Sequence, residues 1–186
     1  PADSAGQLDP SSSYTGNGTD LIFVSADVVE NTQTWQPLDV DYLIDTYVYV
    51  QNSTYRPVLT IADGTNLLFD EGASLYVGYS GYGSLVVEGN SSGVLFTSAQ
   101  ASPVAGDWNG VWIGTYCDDS TTEISGLTVE YGGDNGYGNM YWHGCFGSIS
   151  DSLIQYSSNW GIYRTSSTTP TITDVTYVDC ASGDLY

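Results

Sequence analysis

The chain has 186 residues, enough for one sizeable core, so a single elongated domain is expected. Its charge is lopsided: 22 acidic side chains face only Arg56 and Arg164, lysine is missing, and the formal net charge is -20 at pH 7. Nucleic acid and anionic lipid are excluded as partners, since both need cationic side chains, and a content of 41% apolar and 13% aromatic residues excludes a disordered acidic tail.

The acidic excess fits either a salt-tolerant surface or a set of cation-binding turns. No run approaches the roughly 18 consecutive apolar residues of a membrane span, so no membrane insertion is expected. The first residue is Pro1, as in a mature chain freed of an export signal or in a trimmed one. Asn17, Asn52 and Asn90 each stand two places before Thr or Ser and are glycosylation candidates, which fits an extracellular or cell-surface setting.

In chain order, residues 1–20 are rich in Pro, Gly, Ser, Thr, Asn and Asp and read as a flexible N-terminal arm, leaving 21–186 as the folded domain. Strand-length apolar runs follow at Leu21 to Val24, Tyr47 to Val50, Val58 to Ile61, Leu67 to Phe69, Leu75 to Val77 and Leu85 to Val87. No window carries the start and stop signals of a long amphipathic helix. The expected class is all-β.

Further on, the sequence repeats. The segments Ile124 to Tyr131, Ile149 to Tyr156 and Ile172 to Asp179 superpose, with leading isoleucines 25 and then 23 residues apart. Before each stands a second motif, Gly110-Val-Trp-Ile113, Asn139-Met-Tyr-Trp142 and Trp160-Gly-Ile-Tyr163. A period of this size with at least two strands is one coil of a β-solenoid, whose like positions stack about 4.8 Å apart. The isoleucines should then line a core, with Leu127, Val129 and Tyr131 on one face and Thr128 and Glu130 on the other.

The order of Leu59 to Phe69, Leu75-Tyr-Val77, Gly83 to Gly89, Val94 to Ser98 and the unit Gly106-Asp-Trp-Asn-Gly-Val-Trp-Ile113 resembles that of right-handed parallel β-helix repeat proteins of the pectate-lyase-like superfamily. The resemblance covers roughly residues 35–180. It implies a single-stranded right-handed parallel β-helix outside the cell, and no particular reaction, because that superfamily holds lyases, hydrolases, adhesins and passive surface repeats.

Chemistry is sparse. Elimination from uronates needs a strong base and cationic support, which two separated arginines and no lysine do not supply. Hydrolysis needs two convergent carboxylates, and the adjacent Asp118 and Asp119 would point apart in a strand and converge only if they lie in a turn, where acids that solvate the surface or hold a cation are the expected role. His143, between Trp142 and Gly144, lacks a nucleophile motif. Calcium is the cofactor to consider, held by Asp118, Asp119 and Glu123 in one turn or by Asp134 and Asn135 in the loop from Gly132 to Gly136, although Asp-Asn-Gly is first a turn sequence.

Cys117 precedes Ile124 by seven residues and Cys145 precedes Ile149 by four, so both fall in the same turn of successive coils, either as a disulfide or as buried thiols. Cys180 is left over for an intermolecular bond or a capped thiol. The sixteen tyrosines and five tryptophans either fill and dress the coils or line a glycan-binding groove.

The expected function is that of a non-enzymatic structural or adhesive surface protein. Assembly into a head-to-tail homopolymer would run through Leu21, Ile22, Phe23 and Val24 at one end and Leu185 and Tyr186 at the other. The alternatives are a polysaccharide-binding or polysaccharide-cleaving module, or a piece of a larger adhesin.

Overall fold

A computed structural model of the chain describes residues 1–165 and 167–186. Within them three parallel sheets stack side by side, and the chain visits first, second and third sheet in turn before starting again. The first sheet holds Leu21–Val24, Asp41–Ile44, Asn66–Phe69, Val94–Ser98, Leu127–Glu130, Leu153–Gln155 and Thr176–Val178. The second holds Asp27–Val29, Tyr47–Val50, Ser74–Val77, Gly110–Ile113, Gly138–Trp142, Trp160–Arg164 and Gly183–Leu185. The third holds Gln33–Trp35, Val58–Ala62, Ser84–Glu88, Glu123–Ser125, Ser148–Ser150 and Thr171–Thr173. This is a parallel β-solenoid of about six coils, each with three strands and three turns.

Strand alternation sends every second side chain into the coil interior, and parallel pairing stacks like on like. In the third sheet Trp35, Ile61, Val87, Ile124, Ile149 and Ile172 form one column, which contains the repeat's three isoleucines. In the second sheet Val48, Leu75, Val111, Met140, Ile162 and Leu185 form another. Most of these side chains are fully buried, while Ile172 and Leu185, in the last coil, are not.

Two details of the repeat are corrected by the register. Trp160 pairs with Gly138, so it is Gly161 to Arg164 that matches Asn139 to Trp142; the motif is shifted by one residue. Tyr131 leaves the inward face because it sits in a bend with φ 63°, as do its counterparts Tyr156 and Asp179 at 52° and 49°. The preceding bend repeats the device at Gly126, Asp151 and Asp174, with φ of 62°, 49° and 51°. Aspartate is among the few side chains that enter this left-handed region readily.

The Gly-Asp-Trp-x-Gly unit is a joint between coils. The Asp107 carboxylate accepts bonds from the Ser98 hydroxyl at 2.6 Å and the Val104 N–H at 3.0 Å, closing the loop that precedes the tryptophan. Trp108 is fully buried, stacks on Phe69 at 3.9 Å and donates its indole N–H to the Glu130 carbonyl.

Of residues 1–20, expected as a flexible arm, Ala2 to Leu8 pack against the first coil and Ser13 and Tyr14 are tied to Asp39, while most of residues 9–20 are exposed. The short helix Ala2–Ala5 buries both alanines on the second sheet's first strand. Asp3 accepts the N–H groups of Glu30 and Asn31, Asp27 accepts that of Ala2, and Gln33 accepts that of Gly6. Asp39 holds the Tyr14 N–H at 2.9 Å. Composition hides this cap because its apolar part is only Ala2, Ala5 and the partly buried Leu8.

The interior columns set the stability of the stack. Ile149→Ala removes a side chain with no exposed surface, leaving a cavity between two coils, and should destabilise the protein by about 2–5 kcal/mol in urea titration. Thr128→Ala, on the outer face of the first sheet, should change it by less than about 0.5 kcal/mol.

Candidate functional site

The same stacking that builds the core also builds columns on the outside. On the second sheet the outward position is Tyr49, Tyr76, Trp112, Tyr141 and Tyr163 in successive strands, paired in register. Their ring centres lie 4.9, 6.2, 4.2 and 5.5 Å apart along the column, and Tyr186 continues it at 4.3 Å from Tyr163. Tyr47, Tyr79 and Tyr137 flank the column and touch it through further ring contacts. Aromatic pairs of this kind stabilise a sheet by about 0.2–1 kcal/mol each, so part of their role is structural.

The column is nevertheless open to solvent. Tyr47, Tyr79, Tyr116 and Tyr186 are exposed and Tyr49, Tyr76, Trp112, Tyr137 and Tyr163 are half-exposed; Tyr141 is buried beneath its neighbours. Burial, reinforced by neighbouring phenols, pushes the hydroxyls of Tyr49, Tyr141 and Tyr163 above the ordinary tyrosine range, which keeps these rings neutral.

Beside Trp112 the face dips into a cleft of about 460 Å³ lined by Tyr79, Ser80, Gly114, Thr115, Tyr116 and His143. Its floor depends on close backbone packing. Gly78 has φ 58°, and a Cβ there would lie 2.4 Å from the Cys117 nitrogen, so only glycine lets the two coils approach. The walls are held by the Tyr116 N–H to the Gly78 carbonyl and the Thr115 hydroxyl to the His143 carbonyl. The imidazole Nδ1 of His143 is 3.0 Å from the Tyr141 hydroxyl.

Behind the cleft, Cys117 and Cys145 form a disulfide with α-carbons 5.8 Å apart, joining equivalent turns of successive coils. Cys180 is half-buried, and burial together with Asp184 and Asp179 pushes its thiol up, away from the reactive thiolate.

The residues considered for calcium are not gathered. Asp118 accepts the hydroxyl and N–H of Ser120 and pairs with Arg56 at 3.5 Å; the Ser120 hydroxyl above all, then its N–H and Arg56, hold this carboxyl below the usual carboxylate range. Asp119 accepts the Phe146 N–H in the next coil at 2.9 Å. Glu123 stands on the outer face of the third sheet, in a separate groove with Glu88 and Asp151. Asn135 caps the N–H groups of Tyr137 and Gly138 in an Asx turn, with Asp134 exposed beside it. Among the described residues the one close trio of metal-type donors is Cys117, Asp119 and Cys145, whose sulfurs are bonded to each other.

Of the three sequons, Asn17 and Asn90 are exposed, while the half-buried Asn52 caps the Thr54 and Tyr55 N–H groups with its side-chain oxygen. Leu21 to Val24 form the outermost strand of the first sheet, with Phe23 exposed, and Leu185 and Tyr186 lie exposed in the last coil. The abundance of tyrosine is plain in the sequence, its alignment into a column is not. The signal lies in Tyr47-Val-Tyr-Val50, Leu75-Tyr-Val77, Val111-Trp-Ile113 and Met140-Tyr-Trp142, where an aromatic alternates with core aliphatics.

The chain matches no protein-family model, no curated protein and no solved structure.

The disulfide closes a loop of 28 residues' separation and so restricts the unfolded chain. Paired replacement of Cys117 and Cys145 by serine should lower unfolding free energy by about 3–4 kcal/mol, and dithiothreitol should reproduce the loss with the unaltered protein in the same urea titration.

Proposed function

We propose that this chain is a non-catalytic extracellular adhesive module, a stiff solenoid that makes contact through the aromatic face of its second sheet. The observation that carries the reading is the outward column from Tyr49 to Tyr186, maintained coil after coil where any polar residue would satisfy the strand. Large exposed apolar patches cost solubility and mark interaction surfaces. Disulfides persist mainly outside reducing compartments, so the bond between Cys117 and Cys145 supports the extracellular placement. Membership of the pectate-lyase-like superfamily, and the right-handed sense that goes with it, rest on the order of motifs from Leu59 to Ile113 and belong to this proposal. The non-catalytic reading is supported by Asp118 and Asp119, whose carboxylates are engaged in holding turns.

Beads coated with the protein should adhere to cells of the producing organism or to its extracellular matrix. The pair Tyr79→Ala with Trp112→Ala should reduce adhesion several-fold, while Phe146→Ala, an exposed aromatic outside this column, should not. Equal adhesion by all three proteins would overturn the reading.

End-to-end assembly is a second reading, favoured by the last coil. The outer edges of Thr171–Thr173, Thr176–Val178 and Gly183–Leu185 are unpaired among the described residues, and Ile172 and Tyr177 are only partly covered. Burial pushes the Tyr177 phenol up to about 12. Another copy, or a further coil of a longer chain, would complete these sheets. The helix Ala2–Ala5 lies over the second sheet's other end, so a neighbour would meet the free edge of Leu21–Val24. Sedimentation velocity should show mass growing with concentration, and Tyr177→Pro, which removes an edge N–H, should arrest it; a constant monomer mass would exclude this reading.

A further inference from the structure

We infer that the cleft beside Trp112 is a binding subsite for a neutral polysaccharide, with Tyr79, Trp112 and Tyr116 as stacking surfaces and Ser80, Thr115 and His143 as its polar rim. This rests on the adhesive reading of the aromatic face and names what that face binds.

Three observations select the ligand. The first is charge. The chain carries -20, yet none of the residues lining this cleft is acidic, whereas the groove on the third sheet carries Glu88, Glu123 and Asp151. An anionic polymer is repelled by the chain as a whole, and a basic peptide finds no carboxylate in the cleft to pair with. A second copy would bring another -20 charges against the first. A neutral polymer escapes all three penalties.

The second is chemistry. A pyranose ring has apolar C–H faces and a rim of hydroxyls, so it needs an aromatic plane together with hydrogen-bonding groups. Tyr79 is 45% exposed and Tyr116 47% exposed, and Tyr79 stands edge-on to Trp112 at 5.4 Å with an interplanar angle of 83°, so the two rings form two walls of a corner rather than a closed stack. Exposed His143 lies 6.0 Å from the Trp112 ring.

The third is shape. The cleft opens on a column that runs parallel to the solenoid axis, presenting Tyr76 and Tyr49 on one side and, over the buried Tyr141, Tyr137 and Tyr163 on the other. Such a track accommodates an extended chain of repeating units better than a compact molecule. The rings of the column are held by in-register strands, so little ordering cost falls on them, whereas Tyr79 and Tyr116 stand in the adjoining turns.

The test uses the whole chain in affinity electrophoresis through gels containing soluble neutral polysaccharides (a β-glucan, a galactomannan, a xylan) or anionic ones (polygalacturonate, alginate), each at low and high sodium chloride. At least one neutral polymer should retard the protein, independently of salt, and neither anionic polymer should. Trp112→Ala and Tyr79→Ala should each weaken retardation by about ten-fold, the equivalent of one lost aromatic contact, while Trp112→Phe should retain most of it and Phe146→Ala should match the unaltered protein. Circular dichroism of each variant separates loss of binding from loss of fold.

Retardation by no neutral polymer overturns the inference, as does retardation that is salt-sensitive or equal in every variant. If bead adhesion still depends on Trp112 and Tyr79 while no polysaccharide is bound, the aromatic face remains adhesive and its ligand is a protein, so this inference alone falls. Self-association abolished by Trp112→Ala would likewise replace the glycan with a second copy.

Discussion

Parallel pairing of each coil with the next, in strict register, is the constraint on which everything else in this molecule rests. A strand in such a stack gives its hydrogen bonds upward and downward to equivalents of itself, so a position cannot change character without consequences for its neighbours in the column. Inward, the result is continuous ladders such as Ile124, Ile149 and Ile172. Outward, it is Tyr76, Trp112, Tyr141 and Tyr163. Core and aromatic face are two products of one repeat, separated by a single residue along each strand.

The acidic excess takes on a structural meaning in the same frame. Asp63 accepts the N–H groups of Asn90, Ser92 and Gly93, Asp119 that of Phe146, Asp39 that of Tyr14, and Asp3 those of Glu30 and Asn31, each across to the neighbouring coil or cap. A turn leaves backbone donors that no sheet satisfies, and a carboxylate from the next coil is a strong acceptor for them. The Asn90 N–H, followed by those of Ser92 and Gly93, holds the Asp63 carboxyl below its ordinary range, and the Ser13 hydroxyl with the Tyr14 N–H does so for Asp39. These ties favour the folded state above the ordinary carboxylate pKa and are lost as pH falls through the lowered values. Asp3, Asp39, Asp63 and Asp119 thus serve as clamps between coils or to the cap.

Aromatic column and aspartate clamps are distributed differently around the coil. The aspartate ties occupy turns, where donors are free, whereas the aromatic column occupies strand centres on one sheet, where the backbone is already paired and the side chain alone is available. The cleft beside Trp112 is itself walled by turns of three successive coils, none of which places a carboxylate in its lining, and the disulfide between Cys117 and Cys145 braces two of those coils.

By itself the sequence determined the all-β class, the coil period and the inward phase of the isoleucines, because alternation and repetition are local patterns that survive without coordinates. It also brought Cys117 and Cys145 to equivalent turns. Only the tertiary structure decided the phase at Trp160, which is one residue from where the motif comparison set it, since register follows from what a strand buries against the coil below and not from resemblance of letters. The third strand of each coil was legible only in part, because segments such as Gln33–Trp35 and Glu123–Ser125 are three residues long and too short to alternate visibly. The cap made by Ala2 to Leu8 was hidden for a related reason: two alanines, one leucine and a few polar residues read as a polar arm until the core they cover and the backbone donors tied there are in view. The aromatic face lay between these cases, its residues evident in the strand patterns and its continuity visible only once stacking had aligned Tyr49 with Tyr76, Trp112, Tyr141 and Tyr163.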